Sequence, residues 1–580
     1  MARVLTLALS LLTTGSLLVG CQQHPSKPMA APGYFRDYER EVVAADHWAA
    51  SEAGAEILAR GGNAVDAAVA TSFALSVVRP YSCGLGGGGF MVIHLADDGT
   101  GSPAQIALNY RETCPKGVGP THFERLDDPL ASRYGAHAVA TPGTPIGLLT
   151  ALDRFGTMER REVLAPAIRL ARRGFAADAH YAASVRAVIE RFEKNPDWKR
   201  RFSFVWERYL HEGQVIEGDR IHVPEQARAF EELAWSGADA ITEGQLGEAI
   251  VRAVQSDGGA VTREDLRAFH MEQAQPARAR IAGYELVGMP PPSSGGVTMF
   301  EALNVLEALG YDFRSVALSP ERTHLIGEAL KHAFADRAEW FGDPAFNDVP
   351  VERLLSKDYA ASLASTIDRS VTGEPSDYGT RAQIQEDGGT SHFSVVDRWG
   401  NAVACTETIN LVFGSLVAVP EYGFVLNDQM DDFLTRRGQV NAFGLQQSER
   451  NLPEAGKRPL SSMSPTIVLD DEGVFAVAGA SGGPRIITGT MQTLLRAIGG
   501  RTAGQSVRAP RIHHQWIPDR LDLEPEAMLA DGQRDALARF GHELGERKEI
   551  GNVQIIRRAT SGSGWEGASD PRKGGRPAGR

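Results

Sequence analysis

The sequence predicts an α+β protein, and three observations carry that prediction. Helical periodicity dominates 145–270 and 319–368, a polar segment at 371–389 changes the character of the chain, and strand signals dominate after it. At 42% hydrophobic and 23% charged residues, the 580-residue chain can bury a sizeable core, which excludes disorder as a whole-chain state. At roughly 150 residues per domain, the length would allow about four domains. The 60 Lys and Arg against 73 Asp and Glu leave a net charge of −13, unlike a nucleic-acid binder. Basic residues gather only near the end, at Arg572, Lys573, Arg576 and Arg580. Four cysteines cannot staple a chain of this length, and no Cys/His spacing matches a zinc site. Metal catalysis has no support in the sequence, and no cofactor is expected.

Taken in order, the chain opens on Arg3 and an uncharged, Leu-rich run from Val4 to Gly20, too short for a stable membrane span. Residues 1–20 read as a signal peptide. The run ends Leu18-Val19-Gly20-Cys21, which resembles the lipobox of bacterial lipoproteins, with Cys21 as the lipidated residue; an ordinary signal peptide is the alternative. Residues 21–45 are expected to be the lipidated Cys and a polar tether, giving an exported protein held to a bacterial membrane by a lipid anchor, facing the periplasm. Lipidation would leave Cys83, Cys114 and Cys405, enough for one disulfide at most. Helical periodicity follows at 47–60, Gly61-Gly62-Asn63 stops it, and a small-residue helix spans about 63–78. The helix-rich region is interrupted at Pro290-Pro291-Pro292-Ser293-Ser294-Gly295-Gly296. In 371–389 only Val371, Tyr378, Ala382 and Ile384 are hydrophobic, so an exposed linker is expected. Strands are expected at 391–397, 402–409, 423–427, 466–469 and 474–478.

Two glycine-rich stretches need separate readings. Gly84-Leu85-Gly86-Gly87-Gly88-Gly89 satisfies the dinucleotide pattern only formally, because a helix precedes it and a strand follows. Close backbone packing is the better account. Gly479-Ala480-Ser481-Gly482-Gly483-Pro484 does follow a strand and open a helix, at about 485–498, but lacks the Lys and Ser/Thr of a phosphate loop. It is either a helix start whose free amides hold negative charge or a plain strand–helix turn.

Thr390-Ser391-His392-Phe393-Ser394-Val395-Val396-Asp397 is followed by Arg398-Trp399-Gly400, a three-residue loop with glycine where the chain turns left-handed. Asp397 then pairs with Asn401, and that register sets Thr390 opposite Thr408 on one face. Two hydroxyls would lie side by side at the open end of a hairpin, directly after Gly388-Gly389.

These residues, with Asn427-Asp428-Gln429-Met430-Asp431-Asp432-Phe433, Pro459-Leu460-Ser461-Ser462-Met463-Ser464-Pro465-Thr466 and Ser481-Gly482-Gly483, resemble the gamma-glutamyltranspeptidase family. Tyr110-Arg111-Glu112, Asp336-Arg337, Gly342-Asp343-Pro344 and Gly567-Ala568-Ser569-Asp570-Pro571-Arg572 extend the match over nearly the whole chain. The resemblance implies a four-layer αββα sandwich of the N-terminal nucleophile hydrolase type, made as one precursor. The precursor would cut itself between Gly389 and Thr390. Large (46–389) and small (390–580) subunits would then remain associated.

The resemblance also implies roles. The freed amine of Thr390 would serve as base for its own hydroxyl, with Thr408 orienting it and the amides of Gly482 and Gly483 forming an oxyanion hole. Arg111, Ser461 and Ser462 would hold the α-carboxylate of a gamma-glutamyl group. Asn410, Gln429 and Asp432 would receive its α-ammonium. Substrates would be glutathione and other gamma-glutamyl compounds, with water, amino acids or dipeptides as acceptors. A lid loop is expected at 434–460, with Phe443 at its aromatic position. Asn109 stands where the family usually has an acid, two before the carboxylate-binding Arg, which predicts weaker orientation of Arg111. A cephalosporin-acylase type of amidase and an unprocessed binding lipoprotein are the alternative readings.

Overall fold

The computed structural model describes residues 33–315, 318–379, 389–437, 448–525, 531–547 and 549–580. The expected signal segment 1–20, Cys21 and Phe443 lie outside the described residues. Two seven-stranded sheets, with antiparallel ladders throughout, pack face to face. One runs Ala578–Gly579, Val42–Ala45, Gly389–Val396, Ala402–Asn410, Gly88–Leu95, Ala104–Asn109, Glu272–Ala274; the other runs Phe35–Tyr38, Trp565–Ser569, Asn552–Arg558, Gly473–Ser481, Thr466–Asp470, Tyr284–Gly288, Ala277–Ile281. Helices Trp48–Ala59 and Ala64–Val78 cover the outside of the first sheet, and Gly295–Ala308 and Arg485–Ile498 cover the second. This is the four-layer αββα sandwich.

Side-chain alternation builds it. Along Val42–Ala45, Val43 and Ala45 join the core beneath the first helical layer, while Val42 and Ala44 join the core between the sheets. The hairpin partner divides likewise, with Val403 and Cys405 outward and Ala402 and Ala404 inward. Even-numbered residues from Thr390 to Val396 therefore face the inter-sheet gap, and Thr390 occupies its open end. His392 fills that gap against Gly479 of the facing strand, where a Cβ would come within 2.3 Å of the imidazole. The Ala64–Val78 helix opens on a capping box between Asn63 and Asp66.

The hairpin has the expected register: Thr390 opposite Thr408, Asp397 bonded to Asn401, and Gly400 left-handed at φ 88°. Gly86 and Gly87 lie where a Cβ would meet the Val425 and Thr408 carbonyls, each at 2.1 Å, so the stretch is close packing rather than a nucleotide loop. Two expectations change. The tether cannot extend to 45, because Phe35–Tyr38 and Val42–Ala45 are sheet strands and the second is fully buried. A run of only four residues carries too little periodicity to read. Within the helix-rich large-subunit region, Ala277–Ile281 and Tyr284–Gly288 form a hairpin that completes one edge of the second sheet. Cys83, Cys114 and Cys405 are buried free thiols. Among the described residues, no helix is long and apolar enough to cross a membrane.

Candidate active site

The site forms where the open end of the Thr390–Thr408 hairpin meets the turn after the strand Gly473–Ser481. Thr390 Oγ1 donates to Thr408 Oγ1 at 3.2 Å, and Thr408 Oγ1 donates to the Gly389 carbonyl at 2.7 Å. The Asn410 amide donates to the same Thr408 oxygen at 2.9 Å. Thr408 thus links the Thr390 hydroxyl to the Gly389 carbonyl. Gly389 is buried with its Cα close to the Tyr81 carbonyl, where a Cβ would sit at 2.5 Å, so glycine alone fits. Across the gap, Gly482 and Gly483 have φ of 123° and 58°, values that disfavour any side chain. Neither amide donates a hydrogen bond among the described residues. They form the turn into the helix Arg485–Ile498, whose N-terminal end carries positive partial charge.

A cavity beside Thr390 is lined by Arg111, Asn410, Gln429, Asp432, Ser461 and Ser462, which brings the expected recognition residues together. Arg111 is fully buried and bonds Asp432 Oδ2 through Nη2 at 2.5 Å. Its Nε and Nη2 also donate to the carbonyls of Pro459 and Leu460, at 3.3 and 3.2 Å, fixing the segment that leads into Ser461. Gln429 Nε2 donates to the same Asp432 oxygen at 2.7 Å. Burial pushes the Asp432 carboxyl up, against the downward pull of Arg111. Arg111 Nη1 makes no hydrogen bond but faces the buried Glu112 carboxylate at 3.6 Å, and Gln429 Oε1 is buried without a hydrogen-bond partner among the described residues. Asn410, at φ 77°, is held through Nδ2 by Asp428, leaving Oδ1 as an acceptor for the cavity. Asn109 accepts from the Arg111 amide at 3.0 Å and donates to Glu272 at 2.7 Å, so the neutral side chain still fixes the Arg111 backbone.

Sequence reasoning missed Lys573. Its buried Nζ reaches Asp46 at 2.5 Å, the Thr390 carbonyl at 2.5 Å and Ser481 Oγ at 3.0 Å, joining both sheets beside Thr390. Only the step beyond the Gly567–Arg572 motif separated it from the residues quoted above. His392, two residues past Thr390, is no base: burial drives its pKa down to about 3, and both ring nitrogens bond within the core, to Thr406 and Ser394. Elsewhere His324, Glu328 and His542 converge, but the two imidazoles bond each other at 2.8 Å. Glu328 already faces the Lys331 ammonium and accepts from Thr372 and Tyr378, a set that does not suit a cation.

Fold and site define a class: the αββα sandwich of the N-terminal nucleophile hydrolases, with a threonine pair at the open end of the inter-sheet gap. The gamma-glutamyltranspeptidase family model matches residues 50–580. The chain is 36% identical over 578 residues to a glutathione hydrolase proenzyme of Escherichia coli K12, covering 97% of each chain. It is 34% identical over 530 residues to glutathione hydrolase 3 of Arabidopsis thaliana, covering 89% of this chain and 80% of that one. A cephalosporin acylase from Bacillus halodurans superposes with a TM-score of 0.82 at 25% identity, over 97% of this chain and 99% of that one. The Helicobacter pylori gamma-glutamyltranspeptidase gives a TM-score of 0.52 at 34% identity, over 58% and 93%. The chain belongs to the gamma-glutamyltranspeptidase family.

Proposed function

We propose that this chain is a self-processing gamma-glutamyltransferase that cleaves the gamma-glutamyl amide of glutathione and related compounds. The observation that carries this reading is the cavity beside Thr390. It gathers the Arg111–Asp432 ion pair, the Asn410 and Gln429 amides and the Ser461 and Ser462 hydroxyls around one small space. A zwitterionic amino-acid head needs one cationic donor for its carboxylate and acceptors for its ammonium. In maturation, Thr390 Oγ attacks the Gly389 carbonyl, the peptide nitrogen leaves as the Thr390 amine, and water cleaves the resulting ester. The amine then takes the hydroxyl proton as Oγ attacks the substrate's γ-carbonyl carbon. The Gly482 and Gly483 amides stabilise the oxyanion, at roughly 3–4 kcal/mol per donor. The leaving amine departs protonated, and the gamma-glutamyl–Thr390 ester passes its acyl group to water or to an amino acid or peptide amine.

The acylase reading shares this fold, but a charged pair built for a zwitterion favours the gamma-glutamyl head over a bulky acyl group. Gly389, Thr390 and Thr408, linked by hydrogen bonds, argue against an unprocessed binding protein. The test is amino-terminal sequencing of the smaller fragment of purified protein, followed by a glutathione assay. A sequence starting Thr-Ser-His-Phe with release of glutamate is expected; an uncut chain or an inert one overturns the reading.

The address is part of the same proposal. Residues 1–20 act as an export signal and Cys21 carries the lipid, leaving the catalytic body at a bacterial membrane surface. Cys21→Ser is expected to move activity from the membrane to the soluble fraction at unchanged specific activity, because one anchor is lost and the fold is untouched. Retention on membranes after a salt wash would refute the lipobox.

A further inference from the structure

Arg337 lines the same cavity as Arg111 and is buried at 2% exposure, on the helix Pro320–Trp340. It belongs to none of the ion pairs among the described residues. Its contacts are hydroxyls: Nε donates to Ser294 Oγ at 2.8 Å, and Nη2 donates to Ser462 Oγ at 3.3 Å. Ser294 passes the connection on, because its Oγ and its amide both donate to the Ser461 carbonyl, at 2.7 and 2.8 Å. One guanidinium therefore clamps the Ser461-Ser462 segment from two directions. Burial lowers its pKa to about 10, against the upward pull of the Asp432 carboxylate, which still leaves it charged at neutral pH.

We infer that Arg337 is a positioning residue for the α-carboxylate end of the glutamyl site, acting through Ser462. This rests on the gamma-glutamyl reading above. A guanidinium only donates, so Ser462 Oγ must accept from it, and the serine's own proton is left to be donated into the cavity. The charge balance points the same way. Arg111 bonds Asp432 directly, whereas Arg337 feels that carboxylate only through space and makes no ion pair among the described residues. An arriving carboxylate would be drawn to that end and would meet Ser462 with its proton already aimed outward.

The experiment compares a gamma-glutamyl anilide with the 4-aminobutanoyl anilide, which keeps the amine and lacks the α-carboxylate. Arg337→Gln is expected to self-cleave and to lose about tenfold in kcat/KM on the glutamyl substrate, mainly through KM, while losing less than about twofold on the aminobutanoyl one. In a Ser462→Ala background the Arg337→Gln penalty should shrink to below about twofold, because the intermediary is gone. Arg337→Lys should recover part of the loss. An equal penalty on both substrates, or an undiminished penalty without Ser462, overturns the inference. Should Arg337→Gln not self-cleave, the same cycle with Arg337→Lys decides, and failure of both to mature assigns Arg337 to the fold alone and overturns it too. If the wild type itself shows no preference for the glutamyl anilide, it is the gamma-glutamyl reading that fails.

Discussion

Thr390→Ala is expected to give a single full-length chain with no measurable glutathione hydrolysis. The substitution removes the only atom that can form both the precursor ester and the gamma-glutamyl ester. The strand should survive it. Thr390 keeps its ladder place opposite Thr408 and its carbonyl bond to Lys573, and the lost hydroxyl contact costs about 1 kcal/mol. A denaturing gel and a circular dichroism spectrum read the two outcomes separately. A native-like spectrum with an intact chain is the expected pair, and prompt cutting at 389–390 in the mutant would falsify self-processing.

Arg111→Lys is expected to mature normally and to lose about 1.5–3 kcal/mol of transition-state binding for glutathione, on the order of ten- to a hundredfold in kcat/KM. An ammonium keeps the charge beside Asp432, but it cannot also hold the Pro459 and Leu460 carbonyls and still present a free donor to the cavity. Maturation should be spared because the precursor's linker has no free α-carboxylate to recognise. A substrate with that carboxylate amidated should lose far less between wild type and mutant. Equal losses on both substrates would remove Arg111 from carboxylate recognition.

How much of this was legible in the sequence depended on how local each feature is. The Thr390–Thr408 pairing could be counted from Gly400, because a three-residue loop fixes register over its own two strands. The strand–turn–helix at Gly479–Ile498 was legible for the same reason: its glycines and its periodicity are contiguous. Convergence of Arg111 with Asp432 and Ser462 came only through family resemblance, since nothing local ties positions more than 300 residues apart. Where local signal and resemblance were both thin, the reading stopped short. Phe35–Tyr38 and Val42–Ala45 were merged with a tether because four-residue strands after a polar leader leave no period to detect. Lys573 read as part of a basic tail, yet a position between Asp46 and two β-sheets makes it one of the most buried lysines in the molecule. The hydroxyl chain from Arg337 through Ser294 depends on a helix and two loops that meet only in the folded state.

The strand order of the first sheet has a consequence for what a cut at 389–390 would produce. Val42–Ala45 lies between Ala578–Gly579 and Gly389–Val396, so a strand from before the cut is flanked on both sides by strands from after it. The second sheet is shared as well, with Phe35–Tyr38 at one edge and the Ala277–Ile281 hairpin at the other. The two polypeptides would be woven rather than docked. Neither owns a complete sheet or a closed core, and no surface exists along which they could part without unzipping backbone ladders. Dissociating the processed molecule would then break the same ladders that unfolding breaks.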